Sequence, residues 1–140
     1  RAYAVDATAD GRRDIWDNWS DVIGSVANYF VEHGWRRGAE VVSPARLPVD
    51  WSDDVPAHNL KASESVGSLV ERGIVFETDM PADHPAQLVS FELGDDADDA
   101  YWIGLHNFFV ITRYNRSVMY ALAVYQLGEN IALEHARELD

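Results

Sequence analysis

The sequence predicts an α+β protein in which helices at both ends of the chain flank a segment rich in short strands. Apolar residues recur at helical spacing within residues 20–35 and again within residues 105–140. All five prolines fall between residues 36 and 104, where several short β-rich runs also lie. The pattern indicates one mainly helical domain that carries a small inserted antiparallel-sheet subdomain.

Residues 1–35 contain a polar loop followed by a helix. In the stretch SDVIGSVANYFVEHGW the apolar positions with helical spacing are Val22, Ile23, Val26, Ala27, Phe30 and Val31. Ser20 is a suitable N-cap, Asp21 suits the positive end of the helix, and Gly34 suits the position after its end. We therefore expect a helix over residues 21–33.

Residues 36–104 are expected to form a small α/β subdomain. The runs AEVVSPARL, GIVFETD, QLVSFEL and AYWIGL have the composition of strands, and GDDADDA reads as the turn between the last two. Between the first runs, SESVGSLVERG reads as a short helix with Ser63 as its N-cap and Gly73 as its stop.

Residues 105–140 return to helical spacing. LHNFFVITRYN predicts a short helix, and SVMYALAVYQLGENIALEHAREL predicts a long one capped by Ser117. We expect both helices to pack back on the first helix, with the long one at the centre of the larger domain.

Composition limits the classes of partner. The 140 residues carry a formal net charge of -13, which repels the phosphates of nucleic acids and anionic lipid surfaces. Cations, neutral glycans and basic partners fit this charge better, although the charge can equally serve solubility alone. The absence of cysteine excludes disulfides, the five histidines show no zinc-ligand spacing, and no apolar run reaches the roughly 20 residues that span a bilayer.

The stretch DATADGRRDIWD, residues 6–17, has the pattern of an EF-hand calcium loop. Oxygen donors alternate with other residues and Gly11 allows the sharp turn that lets them converge. The pattern departs from the usual one at Thr8, Arg13 and Asp17. The alternative is an acidic turn that holds no ion. The predicted ligands of a structural Ca²⁺ ion are Asp6, Thr8, Asp10, the carbonyl of Arg12, and Asp17 or Asp21 as the residue that closes the loop, with Asp14 at the ninth position.

Three blocks in this order, DATADGRRDIWD, DVIGSVANYFVEHGW and FFVITRYNRSVMYALAVYQLG, resemble the C-terminal part of the membrane-bound lytic murein transglycosylase B family. The resemblance is specific in GSVANYF before HGW and in ITRYN before YALAV, and it is looser in the centre of the chain. It implies that residues 1–35 and 105–140 belong to a lysozyme-like domain.

The resemblance also implies the reaction. Members of this family cleave peptidoglycan between N-acetylmuramic acid (MurNAc) and N-acetylglucosamine (GlcNAc) and leave 1,6-anhydromuramoyl ends. A single glutamic acid acts first as acid and then as base, unlike the paired carboxylates of most glycosidases. The residues that the resemblance places at the substrate are Tyr29, Tyr114, Asn115 and Tyr120. From the residues alone, the favoured interpretation of Tyr29 and Tyr120 is that they are core tyrosines.

The family's glutamate lies in an E-S-x-[FY]-G motif that precedes the calcium loop, so no catalytic residue is expected among residues 1–140. The stretch ESVG at Glu64 lacks the aromatic residue, and we interpret Glu64 as an exposed acid in the first turn of the short helix. The chain is therefore expected to be the C-terminal portion of a lytic transglycosylase without its general acid, and to be inactive alone. The alternative is a non-catalytic, calcium-stabilised module that binds glycans or proteins. The resemblance implies a periplasmic location and leaves a lipid anchor in the outer membrane and the oligomeric state open.

Overall fold

The structure, a computed structural model, describes residues 2–14, 16–55, 59–91 and 100–139. The chain divides into two compact units, Arg1–Gly38 and Ala39–Asp140. The helices and strands formed by the described residues are α1 (Trp19–Glu32), β1 (Val42–Ala45), β2 (Glu64–Ser65), α2 (Val66–Glu71), β3 (Pro85–Phe91), β4 (Ala100–Gly104), α3 (His106–Tyr114) and α4 (Val118–Leu139). Helices together with one antiparallel sheet confirm the α+β class, and the finer division at residues 35/36 and 104/105 stays a prediction.

The helix of the first unit begins earlier than the sequence predicts. Asn18 is the N-cap of α1, and its side-chain oxygen accepts hydrogen bonds from the backbone N–H groups of Ser20 and Asp21. Ser20 therefore lies inside the helix, because asparagine and serine are both good N-caps and the earlier one is used. Gly34 has a φ of 89° just after the helix, as the predicted stop requires.

The chain before the loop runs along α1 at very short range. The Val5 N–H donates to the Ser25 hydroxyl at 3.0 Å, and the Asn28 amide donates to the Tyr3 carbonyl at 3.2 Å. A Cβ atom at Gly24 would lie 2.9 Å from the Ala7 Cβ and 3.0 Å from a methyl group of Val5. Glycine at position 24 is what allows this close approach.

The second unit is built on a four-stranded antiparallel sheet with the order β1-β4-β3-β2. The predicted strands AEVVSPARL, QLVSFEL and AYWIGL correspond to β1, β3 and β4, and Leu88 lies opposite Ile103. The prediction of a strand in GIVFETD is wrong, since Val75 forms only an isolated bridge with Arg46. Most of the predicted GDDADDA turn lies outside the described residues.

The short helix α2 begins two residues later than predicted. Its N-cap is Ser65, which forms a capping box with Ser68, whereas Ser63 donates its hydroxyl hydrogen to Gln87 at 2.6 Å. Three serines in one short stretch offer rival N-caps, and the sequence pattern chose the wrong one. Glu64 therefore belongs to β2 and is half-buried, so its interpretation as an exposed first-turn acid is corrected.

Apolar side chains fill the space between α2 and one face of the sheet. The buried members of this cluster are Val66, Leu69, Ile74, Ala86, Leu88, Ile103 and Leu105. α3 packs on β4, and α4 packs on α3 and β3. Within α4 the buried residues are Val118, Ala121 and Leu122, near its beginning. No helix in the described part of the chain has both the length and the apolar character needed to cross a membrane.

Candidate functional site

The predicted cation loop turns tightly around the carboxylate of Asp6. The N–H groups of Gly11 and Asp10 donate to this carboxylate at 2.7 and 3.1 Å. The chain can turn back in this way because Ala9 and Gly11 have φ values of 57° and 83°. Desolvation disfavours the charged form of Asp6, but the bonds from Gly11, Asp10, Ala9 and Thr8 outweigh it and lower the Asp6 pKa.

Asp21 joins the loop to α1. Its side chain is fully buried, and its two carboxylate oxygens accept the N–H of Ala7 at 2.9 Å and the N–H of Asp14 at 2.8 Å. These two amides lie on opposite sides of the turn, so one side chain from the first turn of α1 fastens both. Asp14 in turn accepts the N–H groups of Trp16 and Asp17, which lowers its pKa.

The other predicted cation ligands lie on the same loop. Asp10 accepts the N–H of Arg12 at 2.8 Å, Thr8 accepts a hydrogen bond from the Asn18 amide at 3.2 Å, and Asp17 is exposed. Within the described ranges no group of three or more His, Asp or Glu side chains is placed to hold a metal ion, and Asp6 and Asp21 accept backbone N–H groups. The donors are nevertheless all oxygen, and this set fits a hard cation such as Ca²⁺ rather than Zn²⁺.

A second group of predicted site residues lies where α3 gives way to α4. Tyr114 is the last residue of α3, and Asn115 caps the helix through a bond from its N–H to the Ile111 carbonyl. The Ser117 hydroxyl accepts the N–H of Tyr120 at 3.2 Å and so caps α4, as predicted. The corner between the two helices thus sets the positions of both tyrosines.

The structure brings Tyr114 and Tyr120 together. Their rings stack with centroids 6.4 Å apart and an interplanar angle of 27°. Tyr114 is 47% exposed, Asn115 is exposed and Tyr120 is half-buried. We call these three residues the tyrosine platform. An aromatic surface next to an exposed amide can pack against a sugar ring and bond its hydroxyl or N-acetyl groups.

Tyr29, the remaining predicted substrate residue, lies in unit 1 within an aromatic cluster that no sequence pattern predicts. This cluster consists of Tyr3, Tyr29 and His33. The His33 ring stacks on Tyr29 with centroids 3.9 Å apart, and the Tyr3 ring meets Tyr29 edge-on at 5.0 Å. Tyr29 and His33 are four residues apart on a helix, which is a usable signal, but Tyr3 is too distant in sequence to be found.

Glu64 is fixed by its neighbours in the second unit. Its carboxylate lies 2.5 Å from the Arg72 guanidinium and 3.4 Å from the Gln87 amide. Arg72 also pairs with Asp53 at 3.1 Å and stacks on Trp51, and its hydrogen bond to Glu64 is the main cause of its raised pKa. A carboxylate engaged in this way has a structural role and is not presented to a substrate.

Residues 1–129 match the model of the Transglycosylase SLT domain family, and the chain belongs to this family. Within it, the chain is similar to membrane-bound lytic murein transglycosylase B of Escherichia coli K12. The two are 39% identical over 133 residues, which are 95% of this chain and 35% of that protein. The resemblance seen in the sequence is thereby confirmed, and the chain spans about a third of the length of this curated relative.

Solved structures of lytic transglycosylases share the fold. A catenated form of SltB1 from Pseudomonas aeruginosa is 44% identical with a TM-score of 0.84, and the match covers 95% of this chain and 43% of that one. Slt35 from Escherichia coli in complex with calcium is 36% identical with a TM-score of 0.77, over 96% of this chain and 41% of that one. Other structures show Slt35 with bulgecin A, and SltB3 from Pseudomonas aeruginosa with NAG-anhNAM-pentapeptide.

Proposed function

We propose that the chain supplies the glycan-binding part of a peptidoglycan lytic transglycosylase, which cleaves the MurNAc–GlcNAc bond and leaves 1,6-anhydromuramoyl ends. The observation that carries the proposal is the match to SltB1, with 44% identity over 95% of the chain and a TM-score of 0.84. The partner is then the glycan strand of peptidoglycan, in line with the NAG-anhNAM-pentapeptide bound to SltB3.

The tyrosine platform supplies the main contacts with this substrate. The exposed Tyr114 packs against a sugar ring, and the Asn115 amide bonds an N-acetyl group or orients a hydroxyl. Tyr120 supports Tyr114 through ring stacking. Tyr29 contributes a further contact from unit 1. All of these groups are uncharged, which suits contacts with the uncharged hydroxyl and N-acetyl groups of a glycan.

The proton donor is a glutamic acid outside residues 1–140, in the E-S-x-[FY]-G motif of the family. It gives its proton to the glycosidic oxygen as the bond to the anomeric carbon breaks. The C6 hydroxyl of the same muramoyl residue attacks that carbon and passes its proton to the glutamate, so no water is consumed. Glu64 is not this acid, because Arg72 and Gln87 engage its carboxylate.

The loop is proposed to bind one structural Ca²⁺ ion, as Slt35 does in its calcium complex. Asp6, Thr8, Asp10 and the Arg12 carbonyl are the proposed ligands. Asp21 is favoured over Asp17 as the closing residue, because it already contacts both sides of the turn. Bound there, the ion stabilises the loop and supplies no chemistry to the reaction.

Two experiments test the proposal. In the parent enzyme, a Glu→Gln change in the E-S-x-[FY]-G motif should abolish release of 1,6-anhydromuropeptides from purified murein, measured by mass spectrometry, while murein binding persists. In the 140-residue chain, Tyr114→Leu should reduce co-sedimentation with insoluble murein, whereas Met119→Leu, at an exposed position of α4, should not. Anhydro products from the Glu→Gln enzyme, or equal binding by the two variants, would contradict the proposal.

A second function, a calcium-stabilised glycan-binding module without activity, is favoured for residues 1–140 alone. The observation that favours it concerns Glu64, whose stretch ESVG partly matches the E-S-x-[FY]-G motif. Arg72 pairs with both Glu64 and Asp53, so this carboxylate is engaged in an ion-pair network. If the parent sequence lacks the E-S-x-[FY]-G motif, the inactive glycan-binding module is the correct alternative and the enzyme is excluded. For the parent enzyme we propose a periplasmic location, and the relative in Escherichia coli is a membrane-bound protein.

A further inference from the structure

The ring of Tyr29 is fixed on more than one side. His33 stacks on it with an interplanar angle of 21°, so one face of the ring is covered. Tyr3 lies perpendicular to Tyr29, at 78°, and also contacts His33 with ring centroids 5.3 Å apart. Each ring of the cluster therefore contacts both of the others.

The position of His33 is set by a bond as well as by stacking. Its Nδ1 atom lies 2.8 Å from the carbonyl oxygen of Tyr29. A carbonyl oxygen only accepts, so Nδ1 carries the hydrogen of this bond. The imidazole is thus held to the backbone of the residue whose ring it covers.

The position of Tyr3 is set by the helix. Its carbonyl accepts the Asn28 amide, and two residues later Val5 bonds the Ser25 hydroxyl, which itself donates to the Asp21 carbonyl at 2.5 Å. The segment that carries Tyr3 is consequently aligned along α1 before the cation loop begins. The Tyr3 ring is placed on Tyr29 by these backbone contacts.

We propose that Tyr3 and His33 are positioning residues for Tyr29, and that Tyr29 meets the saccharide through its hydroxyl group rather than through the ring face that His33 covers. The inference rests on the proposed function, in which Tyr29 contacts the substrate. Its physical basis is preorganisation: a hydroxyl whose ring is already fixed gives up less rotational freedom when it forms a hydrogen bond to the sugar.

The affinity of the 140-residue chain for NAG-anhNAM-pentapeptide, measured by titration calorimetry, tests the inference. Tyr29→Phe removes one neutral hydrogen bond and should weaken binding roughly 2- to 10-fold. Tyr3→Leu should weaken binding by up to the same factor, and Tyr3→Phe, which restores the ring, should return it to the wild-type value. The control is Trp16→Leu, an exposed aromatic residue of the same unit outside the cluster.

The double variant Tyr3→Leu/Tyr29→Phe separates positioning from direct contact. If Tyr3 acts only through Tyr29, the double variant binds as Tyr29→Phe does. A further loss in the double variant, or wild-type affinity in Tyr3→Leu, would overturn the positioning role. His33→Leu should behave as Tyr3→Leu does, and His33→Phe, which keeps a ring over Tyr29, should lose less.

A measurement without ligand keeps the two proposals apart. The NMR resonances of the Tyr29 ring protons should shift in Tyr3→Leu, because a neighbouring ring current is lost, and should stay in place in Trp16→Leu. Unchanged Tyr29 resonances in Tyr3→Leu would overturn the inference whatever the affinity. Wild-type affinity in Tyr29→Phe, or no affinity in the wild type, would instead refute the substrate contact of Tyr29 and with it the role proposed for its neighbours.

Discussion

Replacing Asp21 by asparagine should destabilise the chain strongly although the two side chains have the same shape. Asp21 is buried and each of its oxygens accepts a backbone N–H, from Ala7 and from Asp14. Asparagine keeps one acceptor and sets an NH₂ group against the other N–H. A hydrogen bond to a charged group contributes roughly 1.5–3 kcal/mol, and a buried unpaired donor is costly, so we expect a loss of about 2–3 kcal/mol.

The expected change in melting temperature follows from the length of the chain. At about 2.1 cal/mol/K per residue, the 140 residues have an unfolding entropy of about 0.3 kcal/mol/K. A loss of about 2–3 kcal/mol then lowers the Tm by roughly 7–10 °C. Circular dichroism with a chelator present measures this effect apart from any ion. The control is Asp17→Asn, since Asp17 is exposed on the same loop and should shift the Tm by less than about 2 °C.

The same two variants decide which residue closes the cation loop. Calcium at about 100 times its dissociation constant should stabilise the wild type by about 2.7 kcal/mol. This calcium-dependent rise in Tm should persist in Asp17→Asn and shrink in Asp21→Asn. A Tm of Asp21→Asn within about 2 °C of the wild type in chelator would refute the reasoning about the buried carboxylate. A calcium effect lost only in Asp17→Asn would assign the closing role to that residue.

Two further predictions concern side-chain packing and stability at low pH. Gly104→Ala should lower the free energy of unfolding in urea by about 1–2 kcal/mol, because its Cβ would lie 2.7 Å from the buried Phe108 ring. Gly128→Ala should raise it by about 0.5–1 kcal/mol, because Gly128 lies in a helix with nothing within 4 Å of the added Cβ; equal effects of the two variants would contradict this account. Because the pKa of Asp14 is lowered in the folded state, its carboxylate stabilises the fold at pH values above the ordinary pKa of 3.8, and this stability is lost as the pH falls through the folded-state pKa. Below pH 3.8 the Tm of the wild type should therefore fall more steeply than the Tm of Asp14→Asn. Parallel curves of Tm against pH would argue against this role of Asp14.

Local signals in the sequence were sufficient for elements whose partners are near in the chain. The β3–β4 pairing follows from two β-rich runs separated by a predicted turn. α1 follows from its apolar spacing, with only its N-cap, Asn18 instead of Ser20, missed. Competition among Ser63, Ser65 and Ser68 likewise displaced α2 by two residues. Such errors arise because several residues satisfy the same local rule and tertiary contacts select one.

Long-range contacts could not be predicted in the same way. The tyrosine platform entered through resemblance, and the stacking of Tyr114 on Tyr120 depends on the angle between α3 and α4. The contact of Tyr3 with Tyr29 depends on a segment folded back along α1, for which no periodicity gives a signal. The ion pair between Arg72 and Glu64 joins α2 to β2 and changed the interpretation of an acid that looked exposed.

The absence of a side chain at Gly24 also restricts which substitutions this protein can accept in engineering work. Any larger side chain at Gly24 would push away the segment that bears Ala7 and Val5. Because Tyr3 is carried by that segment, such a variant would be expected to lose glycan affinity without any change at a residue that meets sugar. A screen that recovers only glycine at position 24 would show that α1 and the segment that precedes the loop tolerate no added side-chain atom between them.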